Sequence, residues 1–296
     1  MKNERLSYEL IQEKSRETGL SFSSLLGGAA LEETVRRISE SEFGTWLWLK
    51  NKTVLGESQY QRKLILNLEY DYAMPESEKT QDALLTELAE KLFQSAFAKR
   101  EDYGAVFLEE HRLLKRYLQI QLAVWIDGMR APVTIKIYPN SREGKIPKEE
   151  EFTYMMFPAV KVSYKRSPAE DLLLEKFAEI FTKLELLQDL GAYYDIYFLL
   201  GEEGIDGRRM KERLLWQCEE LGIPKEKKRI ELIAGYQTYP YMKKRWESYL
   251  CSICRTEPSW EQAVERFLQF FEPLWQAVTE DGVFFEDWMP ELNRFL

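Results

Sequence analysis

Two stretches of the chain alternate apolar and polar residues with the period of a β-strand. They are residues 63–71 and 133–138. Because successive side chains of a strand point to opposite faces, Asn67, Glu69 and Asp71 share one face of the first strand. The corresponding face of the second strand carries Thr134, Lys136 and Tyr138. We predict that the two strands pair and that their polar rows lie side by side.

The rest of the first half mixes helical and strand patterns. The Asp127-Gly128 pair is a typical hairpin turn between two of the strands. The periodicity predicts helices at 5–18, 22–39 and 76–97, and strands at 45–50, 62–71, 105–108, 118–126, 133–138 and 152–157.

Strand patterns almost vanish after Ser167. The second half has helical periodicity at 168–188, 190–200, 206–221, 226–235, 238–254 and 259–278. This change predicts an α+β fold: a mixed sheet with flanking helices in residues 1–163, followed by an all-helical C-terminal domain in residues 164–296.

Composition narrows the class of protein. The chain has 296 residues, of which 45% are apolar and 31% charged, as is ordinary for a globular protein. Its formal charge of −9 argues against coating of nucleic acid by bulk electrostatics, although local basic patches can still bind. No apolar run is long enough to span a membrane, and the polar start lacks a signal-peptide core. We therefore expect a cytoplasmic protein with no membrane partner.

The cysteine and histidine content disfavours two kinds of site. Cys251-Ser-Ile-Cys254 has the spacing of a metal-binding pair, but Cys218 is the one further cysteine and His111 the one histidine. We interpret the cysteines as small apolar residues of a helix. His111 lies in a charged run without a nucleophile pattern, so we predict a surface residue and not a Ser/His/Asp site.

Several short motifs occur in a fixed order along nearly the whole chain: Gly19-Leu-Ser-Phe22-Ser-Ser-Leu25-Leu26, Leu31-Glu32, Arg37-Ile-Ser-Glu-Ser41, Trp48-Leu49-Lys50, Ser167-Pro-Ala-Glu170, Glu175-Lys176, Tyr194-Asp195-Ile-Tyr-Phe-Leu-Leu200 and, more weakly, Trp246 and Phe270-Phe-Glu-Pro273-Leu274. Their order and spacing resemble the AbiEii/AbiGii-type nucleotidyltransferase toxin family. The resemblance implies a nucleotidyltransferase-like core with a helical C-terminal domain. It also implies transfer of a nucleotide from a nucleoside triphosphate (NTP) to RNA, such as tRNA, or to protein, by the toxin of a toxin–antitoxin or phage-defence pair.

That chemistry needs carboxylates on neighbouring strands to hold Mg²⁺, and a small-residue turn that cradles phosphate. The chain departs from the family at both places. Where the family has a Lys-Gly-Gly turn, this sequence has Lys50, Asn51, Lys52 and then Thr53. The positions of the family's acidic triad fall on three residues of which one is an acid: Asn67, Glu69 and Lys136.

A shifted register would use Glu69 and Asp71 as the acidic pair, with lysine still at the third position. If the protein is active, Glu69 and Asp71 would hold Mg²⁺, and three lysines would contact the NTP phosphates: Lys50, Lys52 and Lys63. Gly27-Gly28 also looks like the family's small-residue turn, but it lies inside a periodic helix, and placing the turn there would leave residues 45–71 without a counterpart. We interpret its glycines as allowing close helix packing.

Two further residues come from the helical half of the resemblance. Lys176 and Asp195 occupy positions that lie near the active-site cleft in the family, where Lys176 could reach a phosphate. The alternative is that these two residues pair across adjacent helices. The arginine and aspartate that normally precede Asp195 are replaced by Gly191 and Ala192.

We therefore expect weak or lost nucleotidyl transfer, with Lys136 and Glu69 (or Asp71) forming an ion pair in place of the metal. The alternative is an active, metal-dependent nucleotidyltransferase. An inactive protein would be a binding module for an antitoxin-like or defence-complex partner, or for RNA. The contacts for RNA would come from basic helical segments, Arg208–Arg213, Lys225–Arg229 and Lys243–Arg245, and from interleaved aromatic residues: Trp216, Tyr236, Tyr239, Tyr241 and Trp246.

Overall fold

The computed structural model describes residues 5–50, 67–74, 78–98, 105–114, 117–140, 145–253 and 255–296. The chain divides into two compact units, Met1–Pro168 and Ala169–Leu296. The sequence placed the boundary after residue 163. The last strand of the first unit ends at Arg166, and for this reason the division falls later.

The described residues of the first unit contain three α-helices, a short 3-10 helix at Glu42–Thr45 and seven strands. In chain order the α-helices and strands are α1 (Tyr8–Thr18), α2 (Phe22–Glu40), β1 (Leu47–Leu49), β2 (Asn67–Ala73), α3 (Gln81–Gln94), β3 (Ala105–Leu114), β4 (Tyr117–Ile126), β5 (Met129–Asn140), β6 (Lys148–Thr153) and β7 (Lys161–Arg166).

The seven strands form one mixed sheet in the order β3-β4-β5-β2-β1-β7-β6. The β2–β5 and β1–β7 pairs are parallel, and the other neighbours are antiparallel. β4 and β5 form the predicted hairpin, in which Asp127 and Gly128 both have positive φ. The predicted mixed sheet with flanking helices is confirmed.

In the part of the sheet formed by β4 and β5, one face is apolar and the other is more polar. On β4 and β5 the burial alternates residue by residue, and the buried positions belong to the apolar core of this unit. α2 packs against β5 and β7, and α3 packs against β3 and β4. The polar rows of β2 and β5 therefore lie on the face opposite the core.

A buried ionic cluster belongs to α2. Glu33 accepts hydrogen bonds from Arg36 Nε and Arg37 Nε, each at 2.8 Å, and all three side chains are almost fully buried. Arg37 also donates to the carbonyl of Ala98 at 3.0 Å. Buried charges are tolerated when they are paired and hydrogen-bonded in this way.

Gly27 and Gly28 lie buried in the same helix, in agreement with their interpretation as packing residues.

The strands β6 and β7 differ from the prediction. The sequence placed one strand at 152–157, whereas β6 spans Lys148–Thr153 and β7 spans Lys161–Arg166. β6 is an edge strand with mostly exposed, charged residues, so it lacks the apolar alternation on which the prediction relied. Charged edge strands resist unwanted pairing with other chains.

The second unit is built mainly of helices: α4 (Ala169–Lys183), α5 (Gly191–Glu202), α6 (Gly207–Leu221), α7 (Lys227–Tyr236), α8 (Pro240–Ser252) and α9 (Trp260–Thr279). The predicted helical region is confirmed at all six positions. It is not entirely helical, because β8 (Trp288–Met289) and β9 (Arg294–Phe295) form a small hairpin. Strands of two residues are too short to produce a recognisable periodicity.

Tryptophans anchor the core of this unit. Trp246, Trp260, Trp275 and Trp288 are at most 1% exposed, and each indole N–H donates to a backbone carbonyl at 2.7–3.0 Å. A buried tryptophan needs such a partner, because an unsatisfied N–H in an apolar core is costly. The acceptors lie in α5, at the two ends of α7 and in the loop before α9, so these bonds tie separate elements of the unit together.

Within the described ranges, no helix combines the length and apolar character needed to cross a bilayer.

Candidate functional site

The two polar rows predicted from the sequence are adjacent in the sheet. β2 and β5 pair in parallel, with Asn67 opposite Thr134, Glu69 opposite Lys136, and Asp71 opposite Tyr138. The predicted pairing of the two strands is confirmed. Directly opposite side chains on neighbouring strands are close enough to interact, which makes this face the candidate site.

Glu69 and Lys136 form an ion pair. Lys136 Nζ lies 3.2 Å from Glu69 Oε1, and the two side chains are 28% and 23% exposed. The same ammonium lies 5.9 Å from the centre of the Tyr117 ring. The contact proposed from the sequence is therefore present.

Asp71 lies in a more buried part of the same face. Ser167 Oγ donates a hydrogen bond of 2.6 Å to Asp71 Oδ2, and Lys50 Nζ lies 3.9 Å from Asp71 Oδ1. The Lys50 and Asp71 side chains are only 6% and 7% exposed. Lys50 Nζ also lies 4.4 Å from the centre of the Tyr138 ring, a cation–π distance.

Backbone hydrogen bonds fix the two residues that contact Asp71. The N–H of Lys50 donates to the carbonyl of Glu69 at 2.8 Å, which continues the β1–β2 pairing by one residue. The N–H of Ser167 donates to the carbonyl of Leu49 at 3.0 Å, which continues the β1–β7 pairing. Lys50 and Ser167 therefore follow the ends of two neighbouring strands, and both are directed toward Asp71.

These residues do not fit a Mg²⁺ ion. Mg²⁺ needs several oxygen ligands in a regular octahedron. Here the Glu69 carboxylate contacts an ammonium, and the Asp71 carboxylate contacts a hydroxyl and a second ammonium. A cation held between these acids would be repelled by two lysines. Within the described residues, no three acidic, histidine or cysteine side chains are grouped so that they could hold a metal.

Part of the predicted nucleotide-binding set cannot be placed. Asn51, Lys52, Thr53 and Lys63 lie outside the described residues. Asn67 is partly exposed at the start of β2. Of the predicted phosphate contacts from the first half, Lys50 is the one that the structure places, and it lies beside Asp71.

In the second unit, Lys176 and Asp195 contact each other. Lys176 Nζ on α4 lies 3.3 Å from Asp195 Oδ2 on α5. The two helices are packed neighbours, and both side chains are partly exposed. This contact matches the alternative considered for the two residues, an ion pair across adjacent helices.

The basic helical segments contain many residues that already have partners. Several pair with nearby acids: Arg208 with Glu212, Arg213 with Asp171, Lys225 with Glu219, Lys227 with Glu280, and Lys243 with Glu261. Arg229 and Arg245 donate to backbone carbonyls. Paired cations contribute less to phosphate binding, since the acid competes for the same charge.

The aromatic residues near these segments fall into two groups. Tyr236 and Trp246 are buried, which rules out stacking on a base. Trp216, Tyr239 and Tyr241 are 64%, 45% and 56% exposed, so they can contact a partner.

The histidine and cysteines agree with their structural interpretation where they are described. His111 is exposed on β3, Cys251 is exposed and Cys218 is buried. Burial raises the pKa of the Cys218 thiol to about 11, which keeps it protonated at neutral pH. Cys254 lies outside the described residues.

Sequence reasoning missed Ser167 as a partner of Asp71. The residue follows the last residue of β7 and directly precedes Pro168, the last residue of the first unit. A serine directly before a proline often marks the end of an element, but this signal does not identify its hydrogen-bond acceptor. Only the strand order brings β1, β2 and the end of β7 together.

The solved structures to which the chain has a distant likeness include two from the same bacterium. One is JHP933 from Helicobacter pylori, at 13% identity and a TM-score of 0.41, covering 88% of this chain and 94% of that one. The other is a "putative nucleotidyltransferase from H. pylori", at 12% identity and a TM-score of 0.39, covering 88% and 97%. No protein-family model matches the chain, and a search of curated proteins found no match.

Proposed function

We propose that the protein is a nucleotidyltransferase-fold member of the AbiEii/AbiGii toxin type in which nucleotidyl transfer is weak or lost. In this proposal its role is to bind a partner within a toxin–antitoxin or phage-defence pair. The motifs quoted from the sequence support the family, and the polar face of the sheet supports the loss of transfer.

The observation that carries the proposal is the ion pair between Lys136 and Glu69, at 3.2 Å. A metal-dependent transferase must hold a divalent cation where the triphosphate and the attacking oxygen meet. On this face, a lysine ammonium already neutralises Glu69, and Lys50 lies beside Asp71. With both acids next to ammonium groups, the face attracts Mg²⁺ and Mg²⁺–NTP only weakly.

A transfer assay tests the proposal. The purified full chain is incubated with each of the four labelled NTPs, Mg²⁺ and total tRNA, and label in RNA and in protein is measured separately. We expect no label above background. The assay runs beside a nucleotidyltransferase of known activity to show that the conditions support transfer.

Transfer of label would favour the alternative, an active enzyme. In that case Glu69→Gln and Asp71→Asn should abolish it, since these carboxylates would hold the metal. Glu87→Gln is the matched control: Glu87 contacts two lysines, as an acid paired in the same way, but lies on α3 away from the polar face. Label that survives both substitutions would show that the transfer does not depend on these two carboxylates.

A further inference from the structure

The segment after α9 exposes an unusual number of large apolar side chains. Val283 is 79% exposed, Phe285 69%, Leu292 51% and Met289 38%. All four lie in residues 281–292, which we call the 281–292 surface. Clustered exposed apolar residues of this size mark interaction sites more often than scattered ones do.

The segment that carries this surface is firmly anchored. Trp288 is fully buried, and its indole N–H donates to the carbonyl of Leu200 at 2.8 Å. Backbone bonds join Trp288 to Ile205 in both directions, and Asp287 Oδ1 accepts from the N–H of Gly207. Phe284 packs against Phe295.

The segment is therefore two-sided. Phe284 and Trp288 point into the core, whereas Val283, Phe285 and Met289 are exposed to solvent. Because the inward side chains fix the backbone, the outward ones are held in place before any partner arrives. Such preorganisation reduces the entropy lost on binding.

The charges around these side chains indicate the partner's chemistry. Asp281, Glu286, Asp287 and Glu291 are all exposed, and Arg294 is the one basic residue between positions 281 and 296. Exposed acidic residues interspersed with exposed apolar ones favour a partner with basic residues flanking apolar ones.

We propose that the 281–292 surface binds a basic amphipathic segment of a partner protein. In such a segment, apolar side chains spaced on one helical face would contact Phe285, Val283 and Met289, and lysines or arginines beside them would pair with Glu286 and Glu291. This inference names a partner class for the binding role proposed above. It rests on the second unit alone, so its test is separate from the transfer assay.

The test uses a labelled helical peptide of leucine and lysine with an apolar face and a basic face. Its affinity for the full chain is measured by fluorescence anisotropy at several salt concentrations. We expect binding that weakens with salt, and a peptide with glutamate in place of lysine should bind at least about tenfold more weakly.

Surface variants locate the binding. Val283→Ser with Phe285→Ser should weaken binding at least about tenfold, as expected when a central apolar contact is lost. Glu286→Lys with Glu291→Lys should weaken it and reduce its salt dependence. Leu186→Ser is the matched control, since Leu186 is 77% exposed in the same unit, and it should leave the affinity unchanged. All these positions are exposed, so thermal unfolding should confirm that each variant folds.

Three results would overturn the proposal. The first is no binding of the lysine peptide, and the second is binding that the serine and lysine variants leave unchanged. The third is a concentration-dependent dimer, measured by light scattering, that the Val283→Ser and Phe285→Ser variant dissociates, because the occupant would then be a second copy of this chain. A chain that transfers nucleotides but binds the peptide would contradict the proposed loss of activity and leave this inference standing.

Discussion

Lys136 Nζ lies 3.2 Å from Glu69 Oε1, and the two residues are directly opposite each other on parallel neighbouring strands. The pairing register of β2 and β5 therefore brings the two side chains close enough to form the ion pair. A change of register by one residue would move one of the two side chains to the core face.

We predict that this ion pair contributes little to stability. Both side chains are partly solvated, and such pairs contribute about 1 kcal/mol or less. A double-mutant cycle of Lys136→Met and Glu69→Gln, followed by chemical denaturation, measures the coupling between them. A coupling free energy several times larger than this would mean that the ion pair stabilises the fold. The presence of the pair would then be explained without the replacement of a metal site.

The second prediction concerns metal affinity. Lys136→Asp replaces the cation with a carboxylate opposite Glu69, so the face should gain Mn²⁺ or Mg²⁺ binding at least about tenfold over the unmodified protein. Calorimetry with Mg²⁺ and electron paramagnetic resonance with Mn²⁺ measure this gain.

Lys136→Met separates the two effects of that substitution. It removes the positive charge without supplying a ligand, so it should gain less than Lys136→Asp. If the unmodified protein already binds Mn²⁺ as tightly as the aspartate variant, the lysine does not block the site, and the argument for lost transfer is wrong.

Much of the fold could be predicted because its elements have strong periodicity. The six helices of the second unit follow an apolar pattern with helical spacing, and the β4–β5 hairpin has both alternating strands and an Asp-Gly turn. β6 and the β8–β9 hairpin could not be predicted, since one is a charged edge strand and the other is too short to show a pattern.

Only part of the candidate site could be predicted from the sequence. The alternation within two strands predicted that their polar rows lie side by side, and Lys136 was expected to pair with Glu69 or Asp71; the structure shows the pair with Glu69. The surroundings of Asp71 depend on Ser167, which is 96 positions away in the chain, and on Lys50 after β1. Such contacts follow from the order of strands in the sheet, which local patterns do not specify.

The third prediction is that Asp71 is a structural residue of the sheet. Asp71→Ala removes the carboxylate next to the buried ammonium of Lys50, and we expect a loss of about 3 kcal/mol in the free energy of unfolding. Ser167→Ala removes one hydrogen bond to a buried carboxylate and should cost about 1.5–3 kcal/mol.

Ser163→Ala is the control for the serine substitution. The Ser163 hydroxyl donates to Glu151 at 3.2 Å on the exposed side of β7, so its removal should change stability by less than about 0.5 kcal/mol. If the two serine substitutions lower the free energy of unfolding equally, as measured by urea denaturation, then the buried hydrogen bond to Asp71 stabilises the fold no more than the exposed one to Glu151 does.

The last prediction concerns the two described cysteines. Cys251 is exposed, whereas burial raises the pKa of Cys218 from the ordinary 9.0 to about 11. The thiolate is the reactive form, so at pH 8 iodoacetamide should modify Cys251 at least about tenfold faster than Cys218, as measured by mass spectrometry of the peptides. In denaturant the difference should disappear.

The neutral thiol is favoured in the folded chain, so the stabilisation from Cys218 is complete below pH 9 and is lost as the pH rises toward 11. Cys218→Ser should remove that part of the pH dependence, and a Cys218 that reacts as fast as Cys251 in the folded chain would contradict its placement in the core.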